Sequence, residues 1–175
     1  MSNLNHFSIP FEGLKDGFHT FNFTLNNAFF KEFEASPIQE GSFVVDCTFE
    51  KKPKISILNF DFKGSYRTNC DRCLEQVDIP MSGEQTLLVK VHERMAGVED
   101  EDVIFIDGHT SVIDLRQYLY EMVCVNMPMQ NTFQCEDADP KPCNVDVLKL
   151  LGLHSDNDKL DSAFDSFLGL DFDNN

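Results

Sequence analysis

The stretch "NCDRCLEQ", residues 69–76, holds the side chains best suited to chemistry. Cys70 and Cys73 stand three apart, a spacing at which one tight turn brings two thiolates onto a single edge of a zinc tetrahedron. Two more ligands would be needed, and Cys135 and Cys143 are the candidates. Residues 136–142 separate them, a wider gap than a second knuckle has, and Phe133 and Gln134 supply no ligand. The spacing therefore argues against a tightly held zinc, while zinc remains the metal this set could hold. Cys124, inside a helical pattern, is either a neighbour of the group or a buried residue apart from it. A thiol redox role would want the first cysteine at a helix N-terminus in a βαβ setting. Here the pair lies between two strand-like runs, "GSYRTN" and "EQVDIP", with Arg72 as the adjacent base. The bland alternative is a pair that the fold merely tolerates. "CDRC" is expected as a tight turn between strands, with both thiols near the surface.

Other catalytic constellations are missing. There is no GxSxG, no HExxH, no phosphate-binding glycine loop and no dinucleotide fingerprint. The histidines His6, His19, His92, His109 and His154 are scattered. An enzyme is not expected, and no cofactor other than zinc is suggested.

The elements that must position the cysteines read mostly as strands. "FHTFNFTL" puts Phe21, Phe23 and Leu25 on one face, and "SFVVDCTFEKK" puts Phe43, Val45, Cys47 and Phe49 inward. Cys47 thus reads as a small core residue. "KISILNFDFKGSY" changes phase between Ile57 and Leu58, which suggests a bulge. "EQVDIP" reads as a short edge strand ending at Pro80, followed by a separate strand with Leu87, Val89 and Val91 on one face. "VIFID" is a fully apolar strand. A short early helix should follow Asn26 or Asn27, with Pro37 beyond its end. A longer one is expected over about 112–126, its stripe formed by Val112, Leu115, Leu119 and Met122, with Ser111 and Asp114 as a capping box. "NVDVLKLLGL" suggests a further short helix. The expected fold is α+β: an antiparallel sheet of about five to seven strands, barrel-like if its ends meet, with a short early helix and a longer one in the C-terminal half. Residues 1–153 would form one domain and residues 154–175 an acidic tail.

Fourteen Lys+Arg face 30 Asp+Glu, giving a formal net charge of −16. Such a surface repels naked RNA, whose binding relies on Lys and Arg releasing counterions from phosphates. It suits a basic protein partner, since opposite fields steer association. The candidate contacts are the acidic loop Glu99, Asp100, Glu101 and Asp102, and the tail, where aspartates interleave with Phe164, Phe167 and Phe172. No run is long and apolar enough for a membrane span, and "MSNLNHFSIPF" lacks the basic start and apolar stretch of a signal peptide. A cytoplasmic protein is expected, with its six cysteines as thiols or ligands rather than disulfides.

"FDFKGSYRTNCDRCLEQVDIPM" resembles the signature of the YceD-type proteins, the family of large-subunit (23S) ribosomal RNA accumulation factors. The matching residues are Gly64, Cys70, Asp71, Arg72, Cys73, Leu74 and Glu75, then Asp114, Leu115, Glu121 and Pro128. Cys135 and Cys143 fall where the family's closing cysteines would lie. "GFHTFNFTLNNAFFKEFE" and "FEKKPKISILNFDFKGS" are similar to the Bacteroidetes-type branch. The likeness covers about residues 1–150. It implies a non-enzymatic ribosome-biogenesis factor that supports accumulation of the large-subunit RNA, associated with a small zinc-ribbon protein of that subunit. A basic ribosomal protein or a pre-ribosomal particle is the partner this implies. The alternative, on the cysteine pair alone, is a zinc-binding or thiol redox-sensing protein.

Overall fold

A computed structural model describes residues 7–91, 103–107, 109–135, 138 and 142–151. Alternation of apolar and polar residues at a period of two builds five long or medium strands into one sheet. Its order is β2-β3-β4-β5-β6, with β2 Gly17–Leu25, β3 Glu40–Lys51, β4 Ile55–Asn69, β5 Gln76–Val91 and β6 Val103–Ile106. The β2–β3 and β3–β4 pairings are antiparallel. The last pairing, Leu88–Val91 on Val103–Ile106, is parallel. The sheet ends at β2 and β6 and is not closed into a barrel. A second, two-stranded sheet pairs β1 Ser8–Ile9 with β7 Ile113–Asp114.

The chain divides into two compact units. The first, Met1–Thr68 and Asp78–Met129, contains the sheet's aromatic core. Phe43, Val45, Cys47 and Phe49 of β3 are buried, and so are Leu58, Phe60, Phe62 and Tyr66 of β4. Phe30 meets Phe43 edge-on at 5.8 Å between centroids, and Phe43 meets Phe62 at 6.2 Å. Helix α1, Asn27–Phe30, is capped by the Asn26 carboxamide oxygen, which accepts from the N–H groups of Ala28 and Phe29. Helix α2, Arg116–Val125, buries Leu119, Met122 and Val123. Its Tyr118 packs 5.2 Å from Phe60, and its Tyr120 stacks on Phe33 at 3.8 Å. Among the described residues no helix is long and apolar enough to cross a membrane.

Several expectations need correction. The bulge in β4 is absent, because its register with β3 runs unbroken from Glu40↔Arg67 to Glu50↔Ile57. Ser56 takes the inward position and satisfies its hydroxyl by donating to Lys52 O at 3.2 Å, while Ile55 is left exposed. "EQVDIP" is no separate strand but the start of the long β5. Pro80 fits within it because β6 pairs only from Leu88 onward, so the missing N–H costs no bond on that edge. The α2 capping box does not form. Ile113 and Asp114 are drawn into pairing with β1, and α2 begins after Leu115, with the Arg116 N–H donating to Asp114 Oδ1 at 2.9 Å. Val112 is accordingly exposed.

Gly64 lies opposite Phe43 in the β3–β4 ladder. A Cβ there would press into the Ser42 carbonyl oxygen and stand 2.6 Å from Phe43 Cδ1. Because backbone cannot yield as a side-chain tip can, Gly64→Ala should lower stability by about 1–3 kcal/mol. Gly13→Ala, with nothing within 4 Å of its new carbon, should stay within about 0.5 kcal/mol of the parent. Denaturant midpoints of the two variants give the comparison. Burial also pushes the Cys47 thiol up to about 12. A thiol raised in the folded state favours folding below its unfolded value, and that contribution fades as pH climbs toward the folded value. Cys47 should therefore resist iodoacetamide at pH 8 in folded protein and react once the chain is unfolded, as peptide mass mapping would show.

Candidate functional site

The second unit comprises Asn69–Val77 and Gln130–Asn175. All four candidate ligand cysteines belong to it, whereas Cys124 belongs to the first unit. Residues 71–73 form the tight turn expected between β4 and β5. Its closure is backbone chemistry. The Cys70 N–H donates to Glu75 O at 2.8 Å, and the Leu74 N–H returns to Cys70 O at 2.8 Å. Leu74 closes the loop with φ of 60°, a left-handed conformation that ordinarily favours glycine.

The thiols are not near the surface as expected: Cys70 and Cys73 are fully buried. The loop folds its sulfurs inward and turns Leu74, 69 % exposed, outward. Desolvation raises the Cys70 thiol, but the N–H groups of Phe133, Cys73 and Arg72 aimed at its sulfur, with the Cys73 side chain, outweigh it and leave the pKa lowered. Such a ring of donors stabilises negative charge on sulfur.

The segment from Gln130 is held against the loop at three points. The Asp71 N–H donates to Asn131 O at 2.9 Å, and the Asn131 N–H returns to Asp71 Oδ2 at 2.6 Å. Arg72 Nη2 donates to Phe133 O at 3.1 Å, and Arg72 Nε is buried with no hydrogen-bond partner. The Cys135 sulfur lies 3.6 Å from that same Phe133 carbonyl. Helix α3, Val145–Leu150, follows with Asn144 Oδ1 accepting from the Val147 N–H at 3.3 Å. Cys135 is buried, and its Cα lies 6.2 Å from that of Cys143.

Cys135 and Cys143 are joined as a disulfide, contrary to the expectation that all six cysteines stay as thiols or ligands. With that bond in place, no group of three or more His, Cys, Asp and Glu among the described residues is arranged to hold a metal.

The acidic loop Glu99–Asp102 and the tail with Phe164, Phe167 and Phe172 lie outside the described residues. The sheet of the first unit adds acidic residues that the sequence reading did not single out. Asp46 and Asp61 are direct cross-strand partners, both exposed, and they line an open groove with Asn59, Glu84 and Thr86. Like charges directly opposite weaken a sheet. The Asn22 side-chain amide donates to Asp46, the local compensation available there. Alternation along β3 turns Asp46 outward, and the register sets the Asp61 carboxylate opposite it.

The family model described as "Large ribosomal RNA subunit accumulation protein YceD" matches residues 58–170. The match begins later than the resemblance over residues 1–150 suggested, and it reaches into the acidic tail. Neither the curated proteins nor the solved structures contain a match.

Leu74 provides a direct test of the loop. Exposed and left-handed, it loses little packing on truncation, so Leu74→Gly should raise stability by about 1 kcal/mol. Leu74→Val, whose branched side chain resists that conformation, should lower it by about 1–2 kcal/mol. Thermal melts of both under reducing conditions give the signs, and a neutral valine variant would refute the left-handed loop.

Proposed function

The chain belongs to the YceD family of large ribosomal RNA subunit accumulation proteins, and from this premise we propose how it acts. Membership implies a role in accumulation of the large-subunit ribosomal RNA and places the chain in a family that is not one of enzymes. It acts in the cytoplasm as a ribosome-biogenesis factor that holds a basic large-subunit protein, alone or on a pre-ribosomal particle. It makes no tight contact with naked RNA. The branch of the family rests only on the opening stretches quoted above.

The observation that carries this reading is charge. A net −16 repels phosphate and attracts the Lys- and Arg-rich surfaces of RNA-binding proteins. The exposed Asp46–Asp61 pair with Glu84 supplies a fixed part of that field, on a rigid sheet. Glu99, Asp100, Glu101 and Asp102 and the tail from Asp156 to Asp173 supply the rest, with Phe164, Phe167 and Phe172 as apolar anchors once the partner is near.

Depleting the protein should reduce large-subunit ribosomal RNA and free large subunits on sucrose gradients. Normal gradients after depletion would sink the biological reading. Binding to purified basic large-subunit proteins at two salt concentrations tests the mechanism separately. Affinity should fall as salt rises, and Asp46→Asn with Asp61→Asn and Glu84→Gln should slow association by about tenfold or less, with dissociation nearly unchanged. Removing residues 154–175 should slow it in the same way. Salt-insensitive binding by every form, or tight binding to naked ribosomal RNA, would overturn the charge argument.

A further inference from the structure

We propose that the outer edge of β2 is a homodimer interface, in which Gly17–Leu25 of two copies pair antiparallel across a two-fold axis. The sequence is the first support. From Gly17 to Phe30 the chain holds no Asp, Glu, Lys or Arg, although 25 % of its residues are charged. Among the described strands longer than four residues, β2 alone lacks a charged side chain. Edge strands are ordinarily protected against pairing by charge, proline, a bulge or shortness. β2 has none of these. It is nine residues long, and its register with β3 runs unbroken from Gly17↔Lys51 to Leu25↔Phe43. The opposite edge, β6, is four residues long and offers little to pair with.

The open side of β2 is the second support. The strand ends the sheet, and among the described residues no backbone–backbone hydrogen bond reaches it beyond its ladder with β3. Every second residue therefore turns its N–H and C=O outward. Side-chain burial follows the same margin. On the core face Phe43, Val45, Cys47 and Phe49 of β3 are all buried, whereas one strand further out His19 and Phe21 are half-buried. Phe21 sits opposite Cys47, where the next strand of a wider sheet would cover it. On the other face Phe18 is 74 % exposed.

Charge selects a second copy as the occupant. A basic partner is recognised by carboxylates, and this edge carries none. Two copies of net −16 repel each other elsewhere and approach at least cost along an uncharged strip. The strand also fits itself. Centred on Phe21, the pairing uses all nine residues: Gly17 faces Leu25, Phe18 faces Thr24, His19 faces Phe23, Thr20 faces Asn22, and Phe21 faces its own counterpart. Each pair joins residues of one face, so the core faces become continuous and Phe21, Phe23 and His19 gain cross-strand aromatic contacts. About eight to ten backbone hydrogen bonds would form. The nearest carboxylates across the axis, those of Asp46, stand three strand spacings apart, at least about 14 Å, beyond the screening length of about 8 Å at physiological salt.

Salt acts on this contact with a sign opposite to its effect on a basic partner. Residual repulsion between copies is screened, so dimerisation strengthens as salt rises, whereas attraction to a basic protein weakens. The two are read separately, and the dimer does not rest on the ribosomal reading. Antiparallel pairing about a two-fold keeps equivalent faces on one side. The Asp46–Asp61–Glu84 grooves of both copies would then share one face of the doubled sheet.

The test uses the full chain. Sedimentation equilibrium across micromolar concentrations should give the mass of a dimer, with tighter association at high salt than at low. Thr20→Glu places like charges beside the axis and should weaken association more than about tenfold. Thr48→Glu, the same change at an exposed position one strand inward, should leave it nearly unchanged. Mild oxidation should join two copies of Phe21→Cys, whose backbones lie within disulfide reach across the axis. It should not join Phe18→Cys, whose counterparts stand about 20 Å apart along the strands. Mass and salt dependence of the unaltered chain decide the matter even if a variant fails to fold. A monomer at every concentration and salt, whether or not its edge takes up an extended basic peptide, would overturn the proposal. So would a dimer weakened alike by Thr20→Glu and Thr48→Glu, or crosslinking of Phe18→Cys as ready as that of Phe21→Cys.

Discussion

The unbroken register between β3 and β4 is the constraint on which the first unit depends. A sheet side chain has two options, inward or outward, and a slip by one residue exchanges them all. From Glu40↔Arg67 to Glu50↔Ile57 no slip occurs, so every second residue is committed to the core. That commitment places Phe43, Phe49, Phe60 and Phe62 together, and it places Gly64 against Phe43, where no larger residue fits. The family-like glycine thus has a local cause in close backbone approach. Aromatic rings then extend the packing to both helices, through Phe30 on Phe43 and Tyr118 on Phe60.

The same commitment decides what solvent meets. Once the inward positions are apolar, the outward ones are free to carry charge, and Asp46 and Asp61 become neighbours by register alone. Two facing carboxylates gain nothing for the fold and cost it some stability. Asn22 relieves one of them, while Asp61 remains exposed beside Glu84 in the groove. A surface kept acidic at such a cost agrees with a partner of opposite charge, and with a family concerned with ribosomal RNA.

Much of this was legible in the sequence, and the failures have physical causes. Period-two patterning found the inward residues of β3, because its apolar and polar positions alternate without exception from Val45 to Glu50. It misled in β4, where Ile55 and Ile57 are apolar but point outward and Ser56 is polar but buried. Hydropathy cannot anticipate that a serine hydroxyl will find Lys52. The start of α2 was misplaced because pairing of Ile113 and Asp114 with β1 is a contact about a hundred residues away, invisible to any local capping rule. For the candidate site, cysteine spacing named all four residues of one unit, but spacing carries no distance. The return of the chain from Cys135 to Cys143 had to be seen.

Among the described residues the two units are held by different means, which follows from how much apolar interior those residues build. The first has a sheet wide enough to bury a row of Phe side chains, and hydrophobic burial rises with the size of the enclosed interior. The second has only a six-residue loop, an extended segment and one turn and a half of helix among its described residues. Apolar burial among these residues amounts to three cysteines, one valine and one leucine. Its order comes instead from directed polar contacts: Cys70 to Glu75, Asp71 to Asn131 and Arg72 to Phe133. Such bonds each contribute little net stability in water, near 1 kcal/mol. They gain strength where the surrounding residues keep them out of water. Buried sulfurs lie within that network: backbone N–H groups of both segments point at Cys70, and Cys135 lies beside the Phe133 carbonyl that also accepts from Arg72.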